Sequence, residues 1–477
     1  MSEKMSMYVL TDTHYISRKM WEEGPAINGR ERGDQIAIKA TPEILRSFFA
    51  EILKDNETEN VLITGDLINS GDKQSHLDFI DELKVLTDAG KKVFVTTATH
   101  DYAGENEDGD ENIFHAVRYN ENGTEPAERV GKKDLLPLYY DFGPAQSTSV
   151  HNTGSYSLPI APGFRLIAIN DNGNGRSHCG LFEEGFDWLR SEIRKAHEAG
   201  EYVFLAVHHP VLPPWQVYQS VADFEMFGGY EELRRMMCEE NVKVIFTGHT
   251  HVHGIRKYTD EKGRFFYDVA TSSLAGANCA MRKVVFDKEK SLCSIETVRT
   301  NKILGVDTNG LSAHDYIYGL NFSGLLENAL PLAKTDWELF LEKAGSVIDA
   351  NKLREHEKLA RFAFDKFDTM KMSFIGKLAG KYGELNKREK QYLKTVSLRD
   401  VTFTILAHVF TGNAPYTPDT AEYKALTGVT RRADGILRLI KKDISEKLPG
   451  IASLTETAIP FLYNCRTGDD DSITFEI

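Results

Sequence analysis

The sequence is short of the features that would place it in several broad classes. Its 477 residues hold five cysteines, Cys179, Cys238, Cys279, Cys293 and Cys465, an odd number, widely spaced and without a Cys-x-x-Cys pair. That spacing offers no disulfide framework and no zinc or redox motif, so the five read as reduced core thiols. Positive charge is not in excess either. The formal net charge is −14, which repels a phosphate backbone, and no nucleic-acid partner is expected. No apolar run approaches the length of a membrane span, and no membrane partner is expected. The stretch from Met1 to Met7 is polar and runs straight into Tyr8-Val9-Leu10, without the apolar core of a signal peptide. The expected location is the cytoplasm. Hydrophobic content of 41% and charged content of 27% are ordinary for a soluble globular protein, and the length allows two or more domains.

What the sequence does have is a set of apolar runs that end in acids and histidines. The clearest is Val242-Lys243-Val244-Ile245-Phe246-Thr247-Gly248-His249-Thr250-His251. A run rich in Val, Ile and Phe that stops at glycine reads as a buried strand, and in open α/β sheets the chemistry lies just beyond the carboxyl ends of strands. In an extended segment the i, i+2 spacing of His249 and His251 turns both imidazoles to one side, which suits a metal. Two polar loop histidines are the alternative.

The same pattern recurs from the start of the chain. The short strand Met7 to Thr11 delivers Asp12-Thr13-His14, and Val61 to Thr64 ends in Gly65-Asp66. Between them, Ile44, Leu45, Phe48, Phe49 and Ile52 mark a helix that begins at Thr41-Pro42-Glu43 and runs to about Asp55. Asp72 through Ala89 has helical periodicity and stops at Gly90, and the strand Lys92 to Thr96 runs into Ala98-Thr99-His100-Asp101. Three such strand–helix units predict a parallel α/β core.

Residues 104–131 form a long polar insertion in which Glu105, Glu107, Asp108, Asp110 and Glu111 cluster; its length fits a lid or a mobile segment. Two strands around Pro162-Gly163 follow, then a helix from about Glu183 to His197, then Tyr202 to Val207 ending in His208-His209-Pro210. Runs at 264–270, 283–286 and 293–298 predict three further strands in a second sheet packed on the first. Beyond about Leu325 the pattern is helical, with periodic segments around 337–348, 352–367, 401–410 and 436–448, broken at Pro415-Tyr416-Thr417-Pro418. The excess of Lys and Arg between 352 and 399 is interrupted by Glu355, Glu357, Asp365 and Glu389, so it reads as a solvated helical face.

Asp12, His14, Asp66, His100, His208, His249 and His251 thus come from five strand ends, and all are oxygen or nitrogen donors. Each alone has a structural alternative as a turn cap, a satisfied core-edge imidazole or a surface pair. Five strands ending this way together point to a binuclear centre. The residues resemble the calcineurin-like metallophosphoesterases, whose pattern is Asp-x-His, Gly-Asp, Gly-Asn-His-Asp/Glu, His and Gly-His-x-His. The resemblance covers about the first 300 residues. Within that superfamily, Gly65 to Gly71, Phe164 to Asp171, Gly180-Leu181 with Trp188-Leu189, and Val207-His208-His209-Pro210 look most like the bacterial class III cyclic nucleotide phosphodiesterases and glycerophosphodiesterases.

The resemblance implies an α/β fold: a four-layer α-β-β-α metallophosphoesterase sandwich over 1–300, with an added C-terminal helical domain over 301–477. It implies that Asp12, His14 and His251 hold one metal, that Asp66 bridges to a second, and that His208 and His249 hold the second. His100 would face the leaving group, with Asp101 as its orienting partner. Two divalent ions, Mn, Fe or Zn, are the implied cofactors, and the implied activity is hydrolysis of a small phosphodiester, a cyclic nucleotide or a glycerophosphodiester, by a metal-bridged hydroxide. The sequence departs from the pattern at Ala98-Thr99, where the family has Gly-Asn. Thr99 would offer the second metal a shorter and weaker neutral donor than an asparagine amide, leaving that site weak. A metal-poor relative that binds phosphoesters or a partner without turnover is the alternative that Thr99 supports. A nuclease or phosphomonoesterase is a further alternative, and acidity counts against a nuclease.

Overall fold

Strands rich in β-branched and aromatic residues pair into two mixed sheets in a computed structural model that describes residues 4–104, 115–172, 179–214, 225–344, 350–439 and 469–477. In the first sheet β1 (Lys4–Leu10), β2 (Asn60–Thr64) and β3 (Lys92–Thr96) run parallel, with Val9 opposite Leu62 and Leu62 opposite Phe94. The links between them are α1 (Thr41–Lys54) and α2 (Lys73–Asp88). Pro42 sits in the first turn of α1, where no N–H is required, and Asp72 caps α2 by accepting from the Ser75 amide at 2.7 Å. α1 buries Ile44, Leu45, Phe48, Phe49 and Ile52, α2 buries Phe79, Leu83 and Leu86, and the two helices pack together with α2 against β3.

After a small hairpin of β4 (Val117–Asn120) and β5 (Gly123–Pro126), the chain builds the second sheet. Its strands are β6 (Ser149–Val150), β7 (Tyr156–Ala161), β8 (Phe164–Ala168), β9 (Tyr202–Ala206), β10 (Val244–Thr247), β11 (Gly254–Thr259) and β12 (Phe265–Ala270). The spatial order is β11-β12-β10-β9-β8-β7-β6, and the four strands β12, β10, β9 and β8 are parallel. Helices α3 (Glu183–Glu198) and α4 (Tyr230–Glu239) cover its outer face, burying Leu189, Ile193, Leu233, Met236 and Met237 against Ile167, Val203, Leu205 and Ile245.

The runs at 283–286 and 293–298 do not join that second sheet. β13 (Ala280–Asp287) returns to the first sheet antiparallel to β1, with Met7 opposite Val284, and β14 (Leu292–Arg299) pairs with β13. A period-2 pattern marks a strand and its buried face but not its neighbour. Here Val284, Phe286, Cys293 and Ile295 share one core with Met5, Met7 and Val9 of the first sheet and with Leu166, Phe204 and Phe246 of the second. The sheets therefore pack face to face, with helices on both outer sides, as a four-layer α-β-β-α sandwich. Phe204 stacks on Phe286 across the layer at 5.0 Å, and truncating either to alanine would cost about 3–5 kcal/mol.

The described residues fall into two compact units, one reaching to Pro214 and taking in 225–317 and 469–477, the other beginning at Tyr318 and reaching to Leu439. The tail expected to be helical to its end instead finishes in β15 (Ser472–Glu476), which extends the first sheet with Phe475 opposite Cys293. The second unit is helical. Its longer described helices are α5 (Trp337–Ala344), α6 (Glu357–Thr369), α7 (Met372–Ala379), α8 (Leu398–His408) and α9 (Ala421–Leu439). One small core gathers Trp337, Phe340 and Leu341, and another gathers Met372, Leu393, Val401 and Ala425. Among the described residues no helix is long and apolar enough to cross a membrane. Cys179, Cys238, Cys279 and Cys293 are buried, and no disulfide joins them among the described residues. Cys465, the acidic cluster from Glu105 to Glu111, and most of the segment 436–448 lie outside the described residues.

Candidate metal centre

The parallel strands of both sheets deliver their carboxyl ends to one place. Asp12 and His14 follow β1, Asp66 follows β2, the 3-10 turn Thr99–Asp101 follows β3, His208 follows β9, and His249 and His251 follow β10. Two glycines let these ends approach. A Cβ on Gly65 (φ +86°) would meet His208 Nδ1 at 2.7 Å, and one on Gly248 would overlap the Thr11 hydroxyl and the Asp12 carboxylate. Asp12, His14, Asp66, His249 and His251 all have positive φ, between 40° and 68°. Left-handed backbone costs about 1–3 kcal/mol per non-glycine residue, and it persists only where the surroundings over-determine it. Half of the ten such residues in the described chain are these five side chains.

The donors form three overlapping groups, each tight enough to surround one ion: Asp12, His14 and His251; His14, Asp66 and His100; Asp66, His208 and His249. His251 Nε2 lies 3.4 Å from Asp12 Oδ1 and 3.0 Å from His14 Nε2, while His208 Nε2 lies 3.0 Å from Asp66 Oδ2 and 3.8 Å from Asp12 Oδ1. His14 and Asp66 belong to two groups each, so the constellation is a row of donors with shared members. Thr99 is buried at the head of its turn, between Ala98 and His100.

Backbone contacts fix how the side chains present themselves. His208 Nδ1 donates to the Thr64 carbonyl at 2.8 Å and His100 Nδ1 to the Asn69 carbonyl at 2.6 Å, which fixes the tautomer of each ring. The His100 amide donates to Asp66 Oδ1 at 3.0 Å, and the His249 amide donates to Asp12 Oδ2 at 3.0 Å. Asp101 differs from its expected role. Its two carboxylate oxygens accept the amides of Ile68 (3.0 Å) and Ala98 (2.7 Å), tying the loop after β2 to the loop after β3, and the bond to the His100 Nδ1 comes from Asn69. With both oxygens taken by backbone, the acid braces the loops around the ring.

Three further side chains stand around the donors without having been assigned to the site from the sequence. Asp171 accepts from His209 Nδ1 at 2.9 Å, the His209 ring lies 4.0 Å from that of His249, and Glu225 Oε2 sits 2.6 Å from His249 Nε2. Asp171 and His209 do stand beside strand-end motifs and could have been read as a second layer. Glu225 follows no strand and belongs to no motif, so nothing in the sequence marks it.

Electrostatics match a cation site. Burial alone would raise the carboxyls of Asp12 and Asp66, but His208, aided by His14 and His251 at Asp12 and by His100 and His14 at Asp66, holds both well below the usual range. Burial would lower His208, yet Asp66 and Asp12 push it up to about 10. Burial and the Asp66 carboxylate push Asp101 up to about 8, against the two amides that favour its ionised form. Two fully buried carboxylates thus draw positive charge toward themselves. Asp12 Oδ1 and His208 Nε2 are buried and aligned for no hydrogen bond, although they face the same space. A divalent cation would satisfy both atoms. The set of carboxylates and imidazoles, without thiolate, suits Mn, Fe or Zn.

A family model described as calcineurin-like phosphoesterase matches residues 5–253. No curated protein matches the chain significantly. Among solved structures, a dimetal phosphatase from Danio rerio aligns at 12% identity with a TM-score of 0.41, covering 62% of this chain and 97% of its own. A purple acid phosphatase from yellow lupin seeds aligns at 12% identity with a TM-score of 0.38, covering 64% of this chain and 53% of its own.

Proposed function

Because the chain belongs to the calcineurin-like phosphoesterase family, and so is a metal-dependent phosphoester hydrolase, we propose that its substrate is a small phosphodiester, a cyclic nucleotide or a glycerophosphodiester. The observation that carries the reading is the row of three donor groups sharing His14 and Asp66, with His100 in the middle group that contains both. Asp12, His14 and His251 would hold one cation, Asp66 would bridge, and His208 and His249 would hold the second with Thr99 as a weak neutral donor. When bound, two divalent ions lower the pKa of water and neutralise the charge that develops on phosphoryl oxygens.

The chain's own residues do the rest. Asp12 and Asp66 supply the negative charge that gathers the cations, and the backbone contacts of His208 and His100 keep those rings in fixed tautomers. His100, with Nδ1 donating to the Asn69 carbonyl, lies beside His14 and Asp66. There it can give a proton to the departing alkoxide, which is the harder part of cleaving a diester with a poor leaving group. The net charge of −14 favours a small substrate over a polyanionic one. The test is hydrolysis of bis-p-nitrophenyl phosphate against p-nitrophenyl phosphate with added Mn²⁺, followed by a cyclic nucleotide and a glycerophosphodiester. A higher kcat/KM on the diester supports the reading. A clear preference for the monoester would replace it with a phosphomonoesterase.

A further inference from the structure

His249 is held more tightly than a terminal ligand needs to be. Its amide donates to Asp12 Oδ2 at 3.0 Å, its ring lies 4.0 Å from His209 and 5.2 Å from His208, and its Nε2 is 2.6 Å from Glu225 Oε2. A carboxylate accepts, so Nε2 carries the proton in this contact and the lone pair of the neutral ring sits on Nδ1. The acid itself is anchored by the residues that follow it. Met226 and Phe227 are buried, and the Phe227 amide donates to the Pro210 carbonyl at 2.9 Å, next to His208-His209.

The histidines of the two sites differ in this respect. His208 has its outer nitrogen bound by Thr64 and His249 by Glu225, whereas the Nδ1 atoms of His14 and His251 are buried without a hydrogen-bond partner. Reinforcement from behind is thus confined to the side of the centre where position 99 is a threonine. A carboxylate behind a ligating imidazole fixes its tautomer and raises its basicity, and losing such a partner typically weakens metal binding about 10–100-fold. Glu225 belongs to none of the three donor groups.

We infer that Glu225 is a positioning residue: it fixes His249 as an Nδ1 donor and thereby sustains the second metal site that Thr99 leaves one ligand short. The inference rests on the two-ion reading of the site given above. Its test is calorimetric titration of the metal-stripped full chain with Mn²⁺, for the wild type and for Glu225→Ala and Glu225→Gln. The expected wild-type result is one tight and one weaker class of ion. Glu225→Ala should weaken the weaker class about 10–100-fold and leave the tight class and the melting temperature of the metal-free chain unchanged. Glu225→Gln keeps an acceptor oxygen and should recover part of the loss. Unchanged weak-class binding in the alanine variant would overturn the role of Glu225 alone. Complete loss of that ion would overturn it too, by making Glu225 a ligand. A wild type that binds no Mn²⁺ would overturn the two-ion reading and this inference with it.

Discussion

Asp66 Oδ2 and His208 Nε2 approach to 3.0 Å although one follows β2 of the first sheet and the other follows β9 of the second. The centre therefore exists only while the two sheets are packed, and Asp66 is the side chain that belongs to both halves. Asp66→Asn should reduce bound Mn²⁺ to less than one per chain and cut hydrolysis of bis-p-nitrophenyl phosphate by at least about 10²–10³-fold, the scale of losing one essential charge-stabilising group. Metal analysis of the dialysed variant is the check, and a variant still carrying two ions would remove Asp66 from the bridging position.

His100 offers a way to separate proton donation from phosphate positioning. His100→Asn should slow a diester with an alkyl leaving group by about 10²–10⁴-fold and a p-nitrophenyl diester far less, because nitrophenolate leaves without help. The comparison of kcat on the two substrates decides. Equal losses would mean that the ring only positions the phosphate.

Much of this centre was legible in the sequence because strand ends combine two strong signals, a period-2 apolar run and a donor where the run stops. Asp12, His14, Asp66, His208, His249 and His251 all lie at such ends, and the structure brings them together with His100. The sheet to which β13 and β14 belong was not legible, since Val284 and Phe286 show which face is buried but not which neighbour buries it. Strand β15 was lost for another reason: five residues after a long helical stretch carry too little pattern to announce a return to the first sheet. Asp101 was misjudged because adjacency to His100 suggested a side-chain pair, while its oxygens are taken by the amides of Ile68 and Ala98. Glu225 depends wholly on tertiary approach.

The N-cap of α2 gives a pH prediction. Burial, with a smaller push from Asp78, raises the Asp72 carboxyl to about 6 although the Ser75 amide and hydroxyl favour its ionised form. Against an unfolded value of about 3.9, the folded chain binds the extra proton between pH 4 and 6. The stabilising contribution is therefore complete below about pH 4, is lost as pH rises to about 6, and does not change above that. Asp72→Asn keeps a cap for Ser75 without the buried charge. Its stability relative to wild type should improve by up to about 2–3 kcal/mol between pH 4 and 6 and then level off. Urea midpoints across that range provide the measurement, and a pH-independent difference would show that Asp72 is ionised throughout.

The C-terminal return is held by charge as well as by β15. Asp470 is fully buried, accepts the Ile255 amide at 2.9 Å and pairs with Arg256, while its carbonyl accepts from the fully buried Arg282 at 2.6 Å. Removing one partner of a buried pair leaves the other uncompensated, at a cost of about 3–5 kcal/mol. Asp470→Ala should therefore lower the stability of the metal-free catalytic unit by that amount. An unfolding midpoint within error of wild type would mean that β15 pairing alone secures the tail.

Thr99 is the one site position that departs from the family pattern, and its consequence can be isolated. The turn that carries it is fixed from both sides, because the Ala98 amide donates to Asp101 and the His100 amide to Asp66. A longer side chain at 99 therefore starts from a backbone that is already placed. On the two-ion reading, an ion held by Asp66, His208 and His249 would lack the neutral amide donor with threonine at 99, and water or substrate would have to complete its shell. The wild type should then purify with fewer than two ions per chain, and activity should climb with added Mn²⁺ until the weaker site fills. Thr99→Asn should bring saturation to a lower Mn²⁺ concentration while the tight site and the rate at saturation change little. That split matters, since a variant that changed the rate at saturation would be altering chemistry and not occupancy. If the wild type keeps two ions through exhaustive dialysis, or if the asparagine variant leaves the Mn²⁺ dependence where it was, the threonine is an adequate ligand and the second site is not weak.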